Sequence, residues 1–342
     1  MDVSTHDRVA GLPGRQSFGL RGRRVWVAGH RGMVGSAVVR RLASEGCELQ
    51  TVTRREIDLR RQAETEDWLH ETHPEVVIIA AATVGGIHAN RTRPADFVYD
   101  NVMIALNIIH AAAEAGVRKL LFLGSSCIYP KASPQPMMEE YLLSGSLEPT
   151  NECYAIAKLA GMLAARAYRV QHGMDCITAM PTSLYGPGDN FDLQQGHVIP
   201  SLIRKLHEAK LRSAGSVEIW GTGRPRREFL HVDDLADALV HLITHYSGDG
   251  PINIGCGDDL SIAELAGMLA DIVGYEGELI YNTSMPDGTP RKLLDTSRMT
   301  ALGWQPKIRL RAGLVDAYAS YLRQLHSPPP QFDSALLAAA GE

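Results

Sequence analysis

Cysteine is scarce and scattered. The 342-residue chain has five, Cys47, Cys127, Cys153, Cys176 and Cys256, an odd number with no CxxC pair. This gives neither a disulfide framework nor a zinc site, and it suits a reducing compartment, so the cytoplasm is the expected location. Long apolar runs are also missing. The longest, VVIIAAATVGGI at 76–87, is too short to cross a bilayer as a helix. Neither charge sign dominates: 34 basic and 39 acidic residues leave a net charge of −5. No whole-molecule field then pulls on nucleic acid or on a membrane, and neither is expected as a partner. Internal repeats and low-complexity tracts are absent. Residues 1–22 lack the apolar centre of a signal peptide and are expected to form a flexible tail, as are residues 326–342.

What is present is a regular alternation. A hydrophobic fraction of 45% allows a sizeable core. Short apolar runs of strand type, RVWVAG from Arg24, ELQTVTR, EVVIIAAA, KLLFLGSS and DCITAMPTSLYG, alternate with segments of helical spacing. Such alternation predicts βαβ units and an α/β, Rossmann-type doubly wound parallel sheet. After Tyr185 the regularity fades, which predicts a smaller α/β lobe that closes over the sheet. The expected division is a first domain over 23–185, with 228–247 packing back on it, and a substrate-binding lobe made of 186–227 and 248–325.

The first turn reads AGHRGMVG and spaces Gly29, Gly32 and Gly35 as GxxGxxG between a strand and a helix. In that context Gly29 permits the tight turn, Gly32 lets backbone approach a pyrophosphate, and Gly35 lets the helix close on the strand. The helix N-terminus then offers free N–H groups to phosphate. NAD-binding folds place an acid at the end of the second strand; here Arg54 and Arg55 stand there. A cation suits a 2′-phosphate, so NADP is the expected cofactor, with Arg31 able to reach the same group. The other reading of these arginines is solvated surface charge. Asp58 could bond the adenine amino group or cap the next helix.

YAIAK puts Tyr154 and Lys158 four residues apart, on one face of a helix. A nearby ammonium would lower the tyrosine pKa and make it a usable acid or base. Ser125 or Ser126, at the end of the fourth strand, could hold a substrate oxygen beside it. In a doubly wound sheet the carboxyl ends of the strands share one crevice, so these motifs converge there. Cys127 follows at once; alone, it reads equally as a small buried hydrophobe or as a thiol facing a ligand.

Together the glycine turn, the strand-end serines and YxxxK resemble the extended short-chain dehydrogenase/reductase family over residues 24–325. GSSCIYPK, VGGIHAN, HVIPSLIRKLHEA, REFLHVDD and PDGTPRKLLD narrow the resemblance to its epimerase–reductases, the GDP-L-fucose synthases. The resemblance implies an enzyme that inverts the two carbons flanking the ketone of GDP-4-keto-6-deoxy-D-mannose, then reduces the ketone with NADPH. A related sugar-nucleotide 4-reductase or 4-epimerase is the alternative; it has no use for a paired thiol and imidazole. On this resemblance Cys127 and His197 exchange protons with the flanking carbons. Tyr154 and Ser125 hold the ketone oxygen, and Lys158 tunes Tyr154. Cofactor contacts are implied for Gly29, His30, Arg31, Gly32, Met33, Val34, Gly35, Arg54 and Asp58. They are also implied for Leu123, Gly124, Ser125, Ser126, Lys158, Pro181, Thr182, Ser183, Leu184 and His197. Contacts to the GDP-sugar are implied for Lys205, Trp220, Arg227 and Asp287. Ser183 stands where relatives would carry asparagine. No metal is expected, and a homodimer through the YxxxK helix is.

Overall fold

The computed structural model describes residues 17–193, 195–285 and 287–326. Six parallel strands form the main sheet: β1 (Arg24–Ala28), β2 (Glu48–Gln50), β3 (Val76–Ile79), β4 (Lys119–Leu123), β5 (Asp175–Pro181) and Ile252–Ile254. Their spatial order from one edge is Ile252–Ile254, β5, β4, β3, β1, β2. The order reverses between β1 and β3, the switch point at which α/β sheets open a ligand crevice.

The inner strands, such as β3 (VVII) and most of β4, are apolar because both faces are buried, while the edge strand β2 (ELQ) is partly exposed. Alternate side chains divide accurately between two cores. Val25, Val27, Val76, Ile78, Leu121 and Leu123 pack on one side with α1 (Met33–Leu42). Trp26, Val77, Ile79, Leu120 and Phe122 pack on the other with α4 (Pro94–Glu114) and α5 (Glu152–His172). Between β2 and β3 lies α2 (Gln62–Thr72), which ends on His73 in left-handed conformation (φ 44°) just before Pro74. A short helix, α3 (Ile87–Thr92), precedes α4. Gly173, at φ 69°, ends α5.

The second lobe contains β6 (Ser183–Tyr185), α6 (Val198–Leu211), β7 (Ser216–Trp220), β8 (Arg226–Arg227) and β9 (Phe229–His231). The chain continues through α7 (Val232–His245) and β10 (the Ile252–Ile254 strand), both packed in the first core, then β11 (Leu260–Ser261), α8 (Ile262–Val273), β12 (Glu278–Asn282), β13 (Arg291–Lys292), α9 (Ser297–Ala301), whose Met299 is also in the first core, and α10 (Leu310–His326). Ile203, Leu206, Leu265, Leu269 and Leu314 form the core of the second lobe from α6, α8 and α10.

Two expected boundaries move. β10 belongs to the main sheet beside β5, and Met299 and Trp304 join the first core, so parts of 248–325 serve the first domain. Of the expected N-terminal tail, residues 17–22 pack on that domain: the Phe18 amide donates to the Thr244 carbonyl at 2.8 Å and Leu20 is buried. Residues 1–16 and 327–342 lie outside the described residues. No described helix is long and apolar enough to cross a membrane.

Candidate active site

The glycine turn closes as its spacing requires. Gly29 has φ 84°, and a Cβ there would sit 2.6 Å from Ala81 backbone. A Cβ on Gly35 would meet the Gly29 carbonyl oxygen at 2.1 Å, so α1 can start this close to β1 only with glycine. Gly32 is exposed and a Cβ there meets nothing closer than 3.5 Å, leaving room in front of the backbone. His30 keeps a buried Nδ1 without a hydrogen-bond partner at the same turn. A groove of about 220 Å³ runs from Gly29 and Gly32 past Thr53, Arg54, Asp58 and Ile104. An open glycine cradle, an unpaired donor or acceptor and an adjoining groove fit a dinucleotide. Arg31 and Arg54 are exposed at its rim; Met33 and Val34 open α1 behind it.

Asp58 lines the groove and does not cap the next helix. Arg60 grips it with contacts of 2.7, 2.9 and 3.1 Å, which holds its pKa down at about 2. The residue before α2 is Arg61, with no side-chain cap. Arg60 also reaches Asp100 at 3.0 Å, and Asp100 accepts from the Thr83 hydroxyl at 2.9 Å. This chain of bonds ties the groove to the 83–87 loop, and nothing in local sequence spacing signals it.

β4 delivers the next group. Leu123 ends the strand, and a Cβ on Gly124 would lie 2.3 Å from the Met180 sulfur. Ser125 then caps a single 3₁₀ turn, Ser126–Ile128, its hydroxyl accepting from the Cys127 amide at 3.3 Å. Ser126 is buried. The Ser125 hydroxyl also faces the Tyr154 phenol and acts to lower its pKa.

Lys158 is buried beneath, and its Nζ donates to the Leu123 carbonyl at 2.9 Å. Burial pushes its pKa down to about 8. The ammonium lies over the Tyr154 ring, 5.9 Å from the centroid. The expected lowering of the Tyr154 pKa is not found. Burial raises it, the Cys127 sulfur raises it further, and the Ser125 hydroxyl only partly opposes them. The physical reason is that desolvating the phenolate outweighs an ammonium placed over the ring face and turned to a carbonyl. Tyr154 is thus a neutral phenol, suited to give a proton rather than take one.

Cys127 does not point into packed aliphatics. It is half-buried, 3.9 Å from Lys292 Nζ, and close enough to Tyr154 and Arg227 to act on both electrostatically. His197 is the residue before α6, on a loop whose Gln195 carbonyl accepts from the Gly86 amide at 2.9 Å. A Cβ on Gly86 would lie 2.7 Å from the Gly196 carbonyl oxygen. VGGIHAN is therefore glycine-rich because it must pass this close to the histidine loop. His197 is exposed as a residue, yet protein crowds round its ring and lowers its pKa. It is neutral near pH 7 and free to accept a proton.

β5 ends at Pro181. The Thr182 amide donates to Ile254 and its hydroxyl to the Glu228 carbonyl, at 3.0 and 3.3 Å. Ser183 and Leu184 then enter β6, which pairs with β9. Glu228 is wholly buried, its carboxylate accepting from the Gly257 and Leu294 amides at 2.7 and 3.1 Å. It pins the two halves of the second lobe beside the strand end.

Arg227, on β8, is partly buried, which lowers its pKa, while Cys127, Asp287 and Glu148 act in the opposite sense. Lys205 on α6 lies 5.2 Å from the Trp220 ring centroid, and Trp220 is 49% exposed. An open aromatic face beside a cation suits a base and its phosphates. Asp287 is already engaged: the Thr222 amide and hydroxyl donate to its two oxygens at 2.6 and 2.9 Å. It braces the turn after Trp220.

A doubly wound sheet with a glycine turn at its switch point defines a Rossmann-type dinucleotide-binding protein. The model of the NAD dependent epimerase/dehydratase family matches residues 25–255, and the chain belongs to that family. It is 55% identical over 303 residues to a GDP-L-fucose synthase from Sinorhizobium fredii, covering 89% of this chain and 96% of the relative. The corresponding Escherichia coli protein is 51% identical over 310 residues, with 88% and 97% covered. Among solved structures, a GDP-L-fucose synthetase from Naegleria fowleri bound to NADP has TM-score 0.84 at 26% identity, with 93% and 98% covered.

Proposed function

We propose that the chain makes GDP-L-fucose, by 3,5-epimerisation of GDP-4-keto-6-deoxy-D-mannose and NADPH-dependent reduction at carbon 4. One observation carries the reading beyond a plain reductase: a thiol at Cys127 lies within electrostatic reach of the Tyr154 phenol, at the strand end that holds Ser125. Reduction alone needs only the phenol.

Hydrogens beside a ketone leave as protons once the carbonyl is polarised. Ser125 and Tyr154 are placed to bond that oxygen and stabilise the enolate. Cys127 and neutral His197 exchange protons with the two flanking carbons. After inversion, Tyr154 gives its proton to the carbonyl oxygen. NADPH, when bound, supplies the hydride. Lys158, the glycine turn and Arg54 hold the cofactor, and Arg227, Lys205 and Trp220 hold the GDP portion.

A second copy completes the proposed assembly. Ile156, Leu163 and Val170 recur every seven residues along α5 and are 46%, 42% and 75% exposed; Tyr99 and Leu106 do the same on α4. Such an apolar face supports a homodimer through these helices. Free thiols and the sugar-nucleotide substrate support the cytoplasm as its location.

The test is incubation of the purified protein with GDP-4-keto-6-deoxy-D-mannose and NADPH, with the product read by NMR. GDP-L-fucose is expected. A 4-reduced sugar with unchanged configuration at carbons 3 and 5 would make the chain a simple reductase.

A further inference from the structure

PDGTPRKLLD contains Lys292, which the chemistry above leaves without a role. β13 runs parallel to β8 with Lys292 opposite Arg227. Paired residues on neighbouring strands project from one face of the sheet. That face meets the 3₁₀ turn after β4, and Lys292 Nζ comes to 3.9 Å from Cys127 Sγ, within reach of a hydrogen bond to sulfur. The charged and titratable groups facing the thiol are then Lys292 from β13, Arg227 from β8 and Tyr154 from α5.

We propose that Lys292 is the positioning residue for the Cys127 thiol: its ammonium donates to sulfur and holds the thiolate whenever Cys127 is without its proton. The inference rests on reading the site as an epimerase–reductase. When Cys127 protonates an enolate carbon, a C–H bond forms, the S–H bond breaks, and the electron pair stays on sulfur. In the reverse sense the thiolate takes the proton, and the C–H electron pair moves to the oxygen held by Ser125 and Tyr154. Either way a negative sulfur stands in a half-buried crevice, where an uncompensated charge is costly. Arg227 is less available for it. Its Nη1 donates to the Arg226 carbonyl at 2.8 Å, and Asp287 and Glu148 also act on it. Lys292 is the cation with a direct contact.

The thiol can be tested without substrate. Iodoacetamide alkylation, read at the Cys127 peptide by mass spectrometry, is compared between parent, Lys292→Met and Lys292→Arg, with Cys153 as internal reference. At pH 7 the Met variant should alkylate about tenfold more slowly, because only the thiolate reacts and its counter-charge is gone. Lys292→Arg should stay near the parent rate. At pH 10, where thiols ionise unaided, parent and Met variant should converge. Equal rates at pH 7, or equal slowing at both pH values, would overturn the proposal. Lys292→Gln repeats the test if circular dichroism shows the Met variant unfolded. Failure here leaves the enzyme assignment standing, since that is judged separately by whether the parent forms GDP-L-fucose.

Discussion

Tyr154 owes its proton to burial, and this gives a direct expectation. In Tyr154→Phe the hydroxyl that protonates the carbonyl oxygen is missing, so reduction should fall by about 10³-fold while NADPH binding changes little. Stopped-flow loss of NADPH absorbance checks it; hydride transfer at the parent rate would remove Tyr154 from the step. Lys158 carries a stability consequence. Its pKa is lowered from 10.5 to about 8, so between those values the folded state binds fewer protons than the unfolded state. Stability therefore rises with pH through that window, and at pH 7 the buried charge is a net cost. Lys158→Met should stabilise the cofactor-free protein at pH 7 by about 1 to 3 kcal/mol, a gain that shrinks towards pH 11. Thermal melts at both pH values test this; a variant less stable at pH 7 contradicts it.

Elements built from local pattern were legible in the sequence, and those built from distant pairing were not. The start of α1 is an example of the first kind: three glycines between a strand and a helix require little beyond their neighbours. Gly35→Ala forces a methyl group against the Gly29 carbonyl, since a Cβ there would lie 2.1 Å from its oxygen. It should cost about 1 to 3 kcal/mol and weaken NADPH binding, which denaturant unfolding and fluorescence titration would show; an unaltered protein would mean that the turn relaxes freely. The second kind includes β8 and β13, two residues each and far apart in sequence. Their pairing sets Lys292 beside Cys127, and no periodicity in so short a strand could foretell it. β10 was missed as a strand of the main sheet for the same reason. The pKa of Tyr154 went the other way from the YxxxK expectation because spacing fixes proximity but says nothing of desolvation.

At the scale of the molecule, the sheet gathers groups from the ends of β1, β4 and β5, while the second lobe brings Arg227 into electrostatic reach of Cys127 and the His197 loop against Gly86. The exposed apolar faces of α4 and α5 lie beside this machinery because α5 also carries Tyr154 and Lys158. Leu163→Glu should convert the proposed homodimer into monomer in sedimentation velocity; a parent that already sediments as a monomer would rule out that interface. The thiol–imidazole pair is tested most directly by turnover of GDP-4-keto-6-deoxy-D-mannose with NADPH in deuterated water. Deuterium at both carbon 3 and carbon 5 of the GDP-L-fucose formed, and its loss in Cys127→Ala, is the expected result; a product reduced at carbon 4 with no solvent deuterium at either carbon would contradict it.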